Sequence, residues 1–310
     1  MANGLRVPVG LCITLMCAAL RYSLGMTASM IDGRAQAQAV EEAVRSCLAS
    51  WPAGVAPRLQ VVLVGDNPAS LVYIAGKERA CNRVGISSDL LRLPTTTSTK
   101  ELLAHLDRLA DDVTIDAILV QMPLPAGIDV AAVVSALPPE KDVDGFSPYN
   151  IGRLAARWPE VIPCTPRGCM RLIRSTGMQI DGARAVVVGR GWVGNPMSML
   201  LTRANATVTV CHRFTRNMAD ITAQASILVS AVGIPGLIRA EHIAPGAVVI
   251  DVGQKRVEGH LYGDVDRQAG EELAGWLTPV PGGVGPMTIA MLMDNTARLA
   301  ARRRGLPAPR

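Results

Sequence analysis

Two kinds of hydrophobic pattern alternate along this chain. Short, mostly apolar runs at 59–64, 115–120, 186–188, 227–232 and 247–252 read as strands buried on both faces of parallel sheets, where no solvent-facing alternation is expected. Further strands are predicted at 88–93, 206–210 and 277–280. Between them, apolar residues recur at helical spacing, which predicts helices over 34–49, 68–83, 99–110, 167–176, 197–203 and 288–301. Asn67-Pro68 is a start signal for the second of these, with proline at the first helical position. Alternation of this kind builds sheets covered by helices on both faces. The expected fold is α/β, two three-layer domains with a cleft between them, the second a Rossmann-like doubly wound parallel sheet.

The stretch AVVVGRGWVGNP at 185–196 reads strand, tight turn, helix. Gly189, Gly191 and Gly194 stand at G-x-G-x-x-G spacing: the first permits the turn, the second lets backbone approach a pyrophosphate, and the third lets helix and strand pack closely. Helix N-terminal amides then face the anion. The following strand ends at Cys211-His212-Arg213, where a domain that prefers NAD carries an acid for the ribose 2′-hydroxyl. No acid is present. Arg213 and Arg190 instead offer guanidinium groups suited to a 2′-phosphate, so NADP is the expected cofactor; the plainer reading makes both arginines solvated surface residues.

A polar turn at 138–145, PPEKDVDG, marks a change of composition, and the domain boundary is placed near 150. Asp142 and Asp144 in it are either turn formers or ligand-facing carboxylates. The first domain thus spans 26–150 and the second 151–287, with a last helix over 288–305 returning to the first. Residues 1–25 carry a mostly apolar run at 7–20 that is short for a membrane span, and they are expected to be a dispensable extension.

Composition narrows the function classes. With 310 residues, 49% of them hydrophobic, the chain can bury two cores. Its net charge of +5 is scattered apart from Arg302, Arg303 and Arg304, which read as a solvated helix end. Four Trp, four Tyr and two Phe leave little for stacking on bases, so no nucleic-acid partner is expected, and no membrane span is predicted. Seven cysteines without C-x-x-C pairs suggest neither a zinc site nor a disulfide framework, but reduced thiols of a cytoplasmic protein, several of them buried.

In the first domain Tyr73 and Lys77 stand one helical turn apart on one face, and Gln121 follows a strand at the carboxyl edge where open α/β sheets place ligands. Taken singly they read as a half-buried tyrosine, a solvated lysine and a turn glutamine. In the second, the proline- and glycine-rich loop at 279–288 is stiff and bare enough for close approach to a ligand.

Together with PCTPRG (163–168), HRFT (212–215), DVG (251–253), GDV (263–265) and PGGVGPMT (281–288), the segments YIAGK (73–77), ILVQMPLP (118–125) and KDVDGF (141–146) stand in an order that resembles the bifunctional methylenetetrahydrofolate dehydrogenase/cyclohydrolase family. The resemblance runs from about Met30 to Ala300. It implies an NADP-dependent enzyme of one-carbon metabolism that oxidises 5,10-methylenetetrahydrofolate and hydrolyses the methenyl product to 10-formyltetrahydrofolate, as a homodimer. Within it, Lys77 is the catalytic lysine, Tyr73 lines the folate, Gln121 supports the lysine and Asp144 holds the pterin. Pro281, Gly282 and Gly283 border folate and nicotinamide, and Thr165, Gly189, Arg190 and Arg213 fall at NADP-contacting positions. The chain departs from the family in a glycine turn one residue shorter, with a bulky Trp192, and in Gln254-Lys255-Arg256 after DVG. A dehydrogenase without hydrolase activity would show Lys77, Gln121 or Asp144 replaced, and a non-catalytic NADP sensor would lack the first-domain set.

Overall fold

The computed structural model describes residues 27–309. The proposed extension over 1–25, with Cys12 and Cys17, lies outside the described residues. In chain order the elements are β1 (Ser29–Met30), α1 (Gly33–Ala49), β2 (Arg58–Val64), α2 (Pro68–Val84), β3 (Ser87–Leu93), α3 (Thr99–Asp111), β4 (Ala117–Val120), α4 (Val130–Ala136), α5 (Pro148–Ala155) and α6 (Cys164–Ser175). They continue with β5 (Arg184–Val188), α7 (Gly194–Arg203), β6 (Thr207–Cys211), α8 (Met218–Thr222), β7 (Ile227–Ser230), β8 (Val248–Asp251), β9 (Lys255–Val257), β10 (His260–Tyr262), α9 (Arg267–Leu273), β11 (Trp276–Leu277) and α10 (Val284–Arg304).

The described chain forms two compact bodies, one of residues 27–33 with 169–285 and the other of 34–168 with 286–309. The division falls at 168 and 285 where the sequence reading placed it near 150 and 287.

The second of these bodies holds a three-stranded parallel sheet in the order β3-β2-β4. The central β2 and its neighbour β4 are almost wholly buried, which explains their apolar runs, while the edge strand β3 is exposed or half-buried up to its last residue, Leu93. Helix α2 is fixed at both ends. Asn67 Oδ1 accepts the amides of Ala69 (2.9 Å) and Ser70 (3.3 Å), Pro68 takes the first turn, and Gly85, at φ +86°, closes the C-terminus with its N–H on Cys81 O at 2.9 Å. Helix α10 begins at Val284 where the sequence predicted 288, because Pro286 falls in the first turn, where its missing N–H costs nothing.

The arginines expected to form a solvated helix end do otherwise. The carboxylate of Asp116, at the foot of β4, is fully enclosed; it accepts the Arg58 backbone N–H at 2.8 Å and is clasped by Arg303 (Nε at 3.0 Å) and Arg304 (Nε at 3.2 Å). Arg302 pairs with Glu160 at 2.6 Å on the surface. A buried carboxylate demands such partners, and nothing in local periodicity announced it.

The other body holds a six-stranded parallel sheet, β1-β11-β8-β7-β5-β6. Strand β5 has β6 on one side and β7 on the other, so the chain reverses its winding there, which makes the carboxyl end of β5 the topological switch point of the sheet. Residues 29–30, read from sequence as part of the first domain, form β1 and pair with β11 at the far edge of this sheet. The predicted strand at 277–280 ends at Leu277, because Pro279 has no N–H to continue the ladder. No described helix is long and apolar enough to cross a membrane.

Candidate functional site

In the three-stranded body, α2 buries a stripe of Ser70, Ile74, Lys77, Cys81 and Val84. Lys77 thus occupies a position that helical periodicity gives to an apolar residue. Its side chain is 8% exposed, and Nζ donates to Gln121 Oε1 at 2.9 Å. Gln121, directly after β4, is itself buried and anchored by its amide donating to Met122 O at 2.6 Å, so its oxygen is aimed at the lysine. Tyr73 lies one turn earlier on α2 and is partly exposed. The structure therefore brings Lys77 and Gln121 into direct contact.

Asp144 acts on the same lysine through space. Burial pushes the Lys77 ammonium below the ordinary lysine value, opposed chiefly by the Asp144 charge. Burial likewise pushes the Asp144 carboxyl up, with Lys77 opposing and Asp142 adding to the shift. Each charge is thus disfavoured by its surroundings and favoured by the other. Asp142 resolves as the turn former: its carboxylate accepts the amides of Gly145 (3.0 Å) and Ser147 (2.7 Å) and the Asn150 side chain (3.0 Å), which fixes the loop that carries Asp144.

Three side chains at this site were not singled out from the sequence. Cys164 hydrogen-bonds Asp144 and has its thiol pushed well up by burial, so it stays a protonated donor and not a nucleophile. Asn295 of α10 donates to Val143 O (2.9 Å), Ile162 O (3.0 Å) and Cys164 Sγ (3.4 Å), and its own oxygen accepts from Arg167 at 2.8 Å. Its signal was available: Asp294, Asn295 and Thr296 are three consecutive polar residues in an otherwise apolar helix. Ser70 Oγ, one turn before Ile74, is buried without a hydrogen-bond partner. Thr165, expected at the cofactor, belongs to this body, where its hydroxyl meets that of Thr288 at 3.0 Å.

The six-stranded body carries the glycine turn at its switch point. Gly189 adopts φ +116°, and a Cβ there would strike Ala231 O at 2.5 Å; one at Gly194 would strike Gly189 O at 2.0 Å. Two glycines of the fingerprint are thus demanded by the fold. Gly191 is not: apart from its chain neighbours, nothing lies within 4 Å of a Cβ built there. Its bareness suits a phosphate that approaches the backbone, so the residues present fit a dinucleotide. Arg190 and Arg213 are both exposed beside this turn.

Behind the ends of β7 and β8 lies a pair of buried aspartates. Asp251 accepts the amides of Gly253 (3.0 Å), Asp264 (2.8 Å) and Val265 (3.0 Å). Asp264 accepts those of Val232 and Ile234 (2.8 Å each) and the Ser230 hydroxyl (2.9 Å). Burial, with Asp264 adding, pushes the Asp251 carboxyl up to about 7. Pro281, Gly282 and Gly283 also sit in this body, on a loop whose Gly283 carbonyl leaves no space for a side chain at Gly33. Among the described residues no group of three or more His, Cys, Asp or Glu side chains is placed to hold a metal ion.

Residues 31–144 match the model of the tetrahydrofolate dehydrogenase/cyclohydrolase catalytic domain, and residues 163–304 that of the NAD(P)-binding domain of the same enzymes. The chain is 53% identical to a bifunctional protein FolD of Methanospirillum hungatei over 253 residues, which cover 81% of this chain and 91% of that one. It is 50% identical to one of Acidiphilium cryptum over 281 residues, 90% of this chain and all of the other. Among solved structures it resembles a bifunctional FolD methylenetetrahydrofolate dehydrogenase/cyclohydrolase from Campylobacter jejuni, with a TM-score of 0.86 and 39% identity, covering 89% of this chain and 99% of that one. A Trypanosoma brucei methylenetetrahydrofolate dehydrogenase-cyclohydrolase, solved with NADP cofactor and inhibitor, superposes with a TM-score of 0.85 and 39% identity, covering 89% and 98%.

Proposed function

The chain belongs to the tetrahydrofolate dehydrogenase/cyclohydrolase family, and we propose that it oxidises 5,10-methylenetetrahydrofolate to the 5,10-methenyl cation with NADP and then hydrolyses that cation to 10-formyltetrahydrofolate. The observation that carries the second activity is the buried Lys77–Gln121 contact beside Asp144, a proton-handling group that a dehydrogenase alone does not need. Gly189, Gly191, Gly194, Arg190, Arg213 and Thr165 would hold NADP, which when bound would supply the hydride acceptor. The protein's share of the oxidation is to orient the folate, which we assign to Tyr73, to Asp144 at the amino-pyrimidine edge, and to Pro281, Gly282 and Gly283.

Hydrolysis is where side chains move protons. Water oxygen bonds to the methenyl carbon while neutral Lys77, its basicity lowered by burial, takes one water proton. Gln121 Oε1 holds Nζ in line throughout. The bond from that carbon to N5 then breaks, its electron pair stays on N5, and Lys77 returns the proton there. The remaining hydroxyl proton leaves to solvent as the formyl C=O forms.

Absorbance of the purified protein with methylenetetrahydrofolate and each dinucleotide tests the proposal. NADP reduction followed by decay of the methenyl band supports both activities. Reduction with methenyl decay at the uncatalysed rate reduces the protein to a dehydrogenase, and dinucleotide binding without reduction makes it a sensor. We further assign a homodimer, tested by sedimentation, and a cytoplasmic location, tested by cell fractionation.

A further inference from the structure

We propose that Phe214 is a positioning residue that holds Arg213 as a preset reader of the NADP 2′-phosphate. The inference rests on the assignment of Arg213 to the cofactor. The β5–β6 ladder ends at Val188 opposite Cys211, and the Gly189 amide donates to Cys211 O at 2.8 Å. The chain leaving β6 therefore starts out directly beside the glycine turn, with Arg190 on one side and Arg213 on the other.

That exit is a built turn. The Thr215 amide donates to His212 O (2.8 Å), the His212 amide to Thr215 Oγ1 (2.9 Å) and the Phe214 amide to His212 Nδ1 (3.2 Å). The last bond makes Nδ1 an acceptor. It also sets the rings of His212 and Phe214 edge to face, with centroids 6.1 Å apart at 74°. Phe214 stays 66% exposed on this turn and carries the Arg213 guanidinium 4.6 Å above its ring centroid. A large apolar ring left in solvent is explained by what lies on it: a guanidinium held over the ring face keeps its N–H groups for a phosphate. Among the described residues Arg213 has no carboxylate partner, and no acid occurs from 211 to 217 to repel the phosphate.

The test compares kcat and KM for NADP and NAD in the parent, Arg213→Ala, Phe214→Ala, Phe214→Tyr and the Arg213→Ala/Phe214→Ala double variant. Arg213→Ala is expected to raise the KM for NADP at least tenfold, the worth of a charge-assisted contact. Phe214→Ala should raise it about two- to fivefold, the worth of an exposed cation–π contact, with the effect on KM and not on kcat, and so lower the NADP-to-NAD ratio. Phe214→Tyr should retain the parent ratio, and Phe214→Ala should add nothing once Arg213 is gone. If Arg213→Ala leaves NADP binding intact, the assignment of that arginine fails. If it weakens NADP but Phe214→Ala changes both cofactors equally or neither, Phe214 positions nothing and the inference is overturned.

Discussion

Replacing Lys77 by Met separates the two activities. Met keeps most of the apolar stem in a site that is 8% exposed, and it removes both a desolvated amine and the bond to Gln121. Leaving Gln121 Oε1 without that donor costs about 1–3 kcal/mol, and removing the desolvated amine itself returns a comparable amount, so the variant should fold with nearly the parent Tm. The chemistry does not balance in this way. Loss of positioned acid–base assistance lowers rates by about 10²–10⁴, equivalent to roughly 3–5 kcal/mol of barrier. Hydrolysis of methenyltetrahydrofolate, followed by its absorbance, should therefore fall to near the uncatalysed rate, while NADP titration of the six-stranded body is unaffected. Lys77→Arg should not rescue it, because a guanidinium does not release its proton. The pH profile supplies a sign: burial lowers the lysine from its ordinary 10.5, so the neutral base accumulates, and hydrolysis rises, through a pH below that value. Parent-rate hydrolysis by Lys77→Met, or full activity in Lys77→Arg, refutes the proton-transfer role.

Gly191→Ala should keep the parent Tm yet weaken NADP binding, whereas Gly194→Ala, whose Cβ meets Gly189 O at 2.0 Å, should lower Tm outright; calorimetry with and without NADP separates them. Asp251, raised from about 3.9 in the unfolded chain to about 7, gives the folded state an extra proton between those values. The contribution of Asp251 to stability should then be fully present below about pH 4 and be lost as pH rises through about 7, a downward slope that urea titrations should find flattened in Asp251→Asn. Asp116→Ala should cost about 1–3 kcal/mol in urea unfolding, because it leaves the Arg58 amide and the partly exposed guanidinium groups of Arg303 and Arg304 without their acceptor; a change under 1 kcal/mol would contradict the clasp.

Strongly patterned segments were readable in advance for physical reasons. Strands β2, β5, β7 and β8 are buried on both faces, and burial on both faces leaves an unbroken apolar run. Gly189 and Gly194 had to be glycine for the turn and the helix packing, and only Gly191 required a ligand to explain it. What escaped was non-local. Two residues, Ser29 and Met30, cannot show a period, and their partner lies almost 250 positions away in β11. The Arg303–Asp116 and Arg304–Asp116 pairs span 187 and 188 residues, and the last arginines look solvated until their acid is found. Lys77 was visible as a lysine, but its burial was not, since an amine on an apolar stripe reads as an interruption until Gln121 is seen to receive it.

The interleaving of segments also orders events on the ribosome. The six-stranded sheet cannot close its far edge until β11 is available to receive residues 29–30, so its earliest segment waits for nearly its last. The three-stranded body waits longer, because residues 286–309 cover it, and Asp116 must pass through synthesis as a carboxylate without its two cations. Nascent chains arrested between residues 168 and 285 should thus leave that body open to proteases, since its last segment is still to be made.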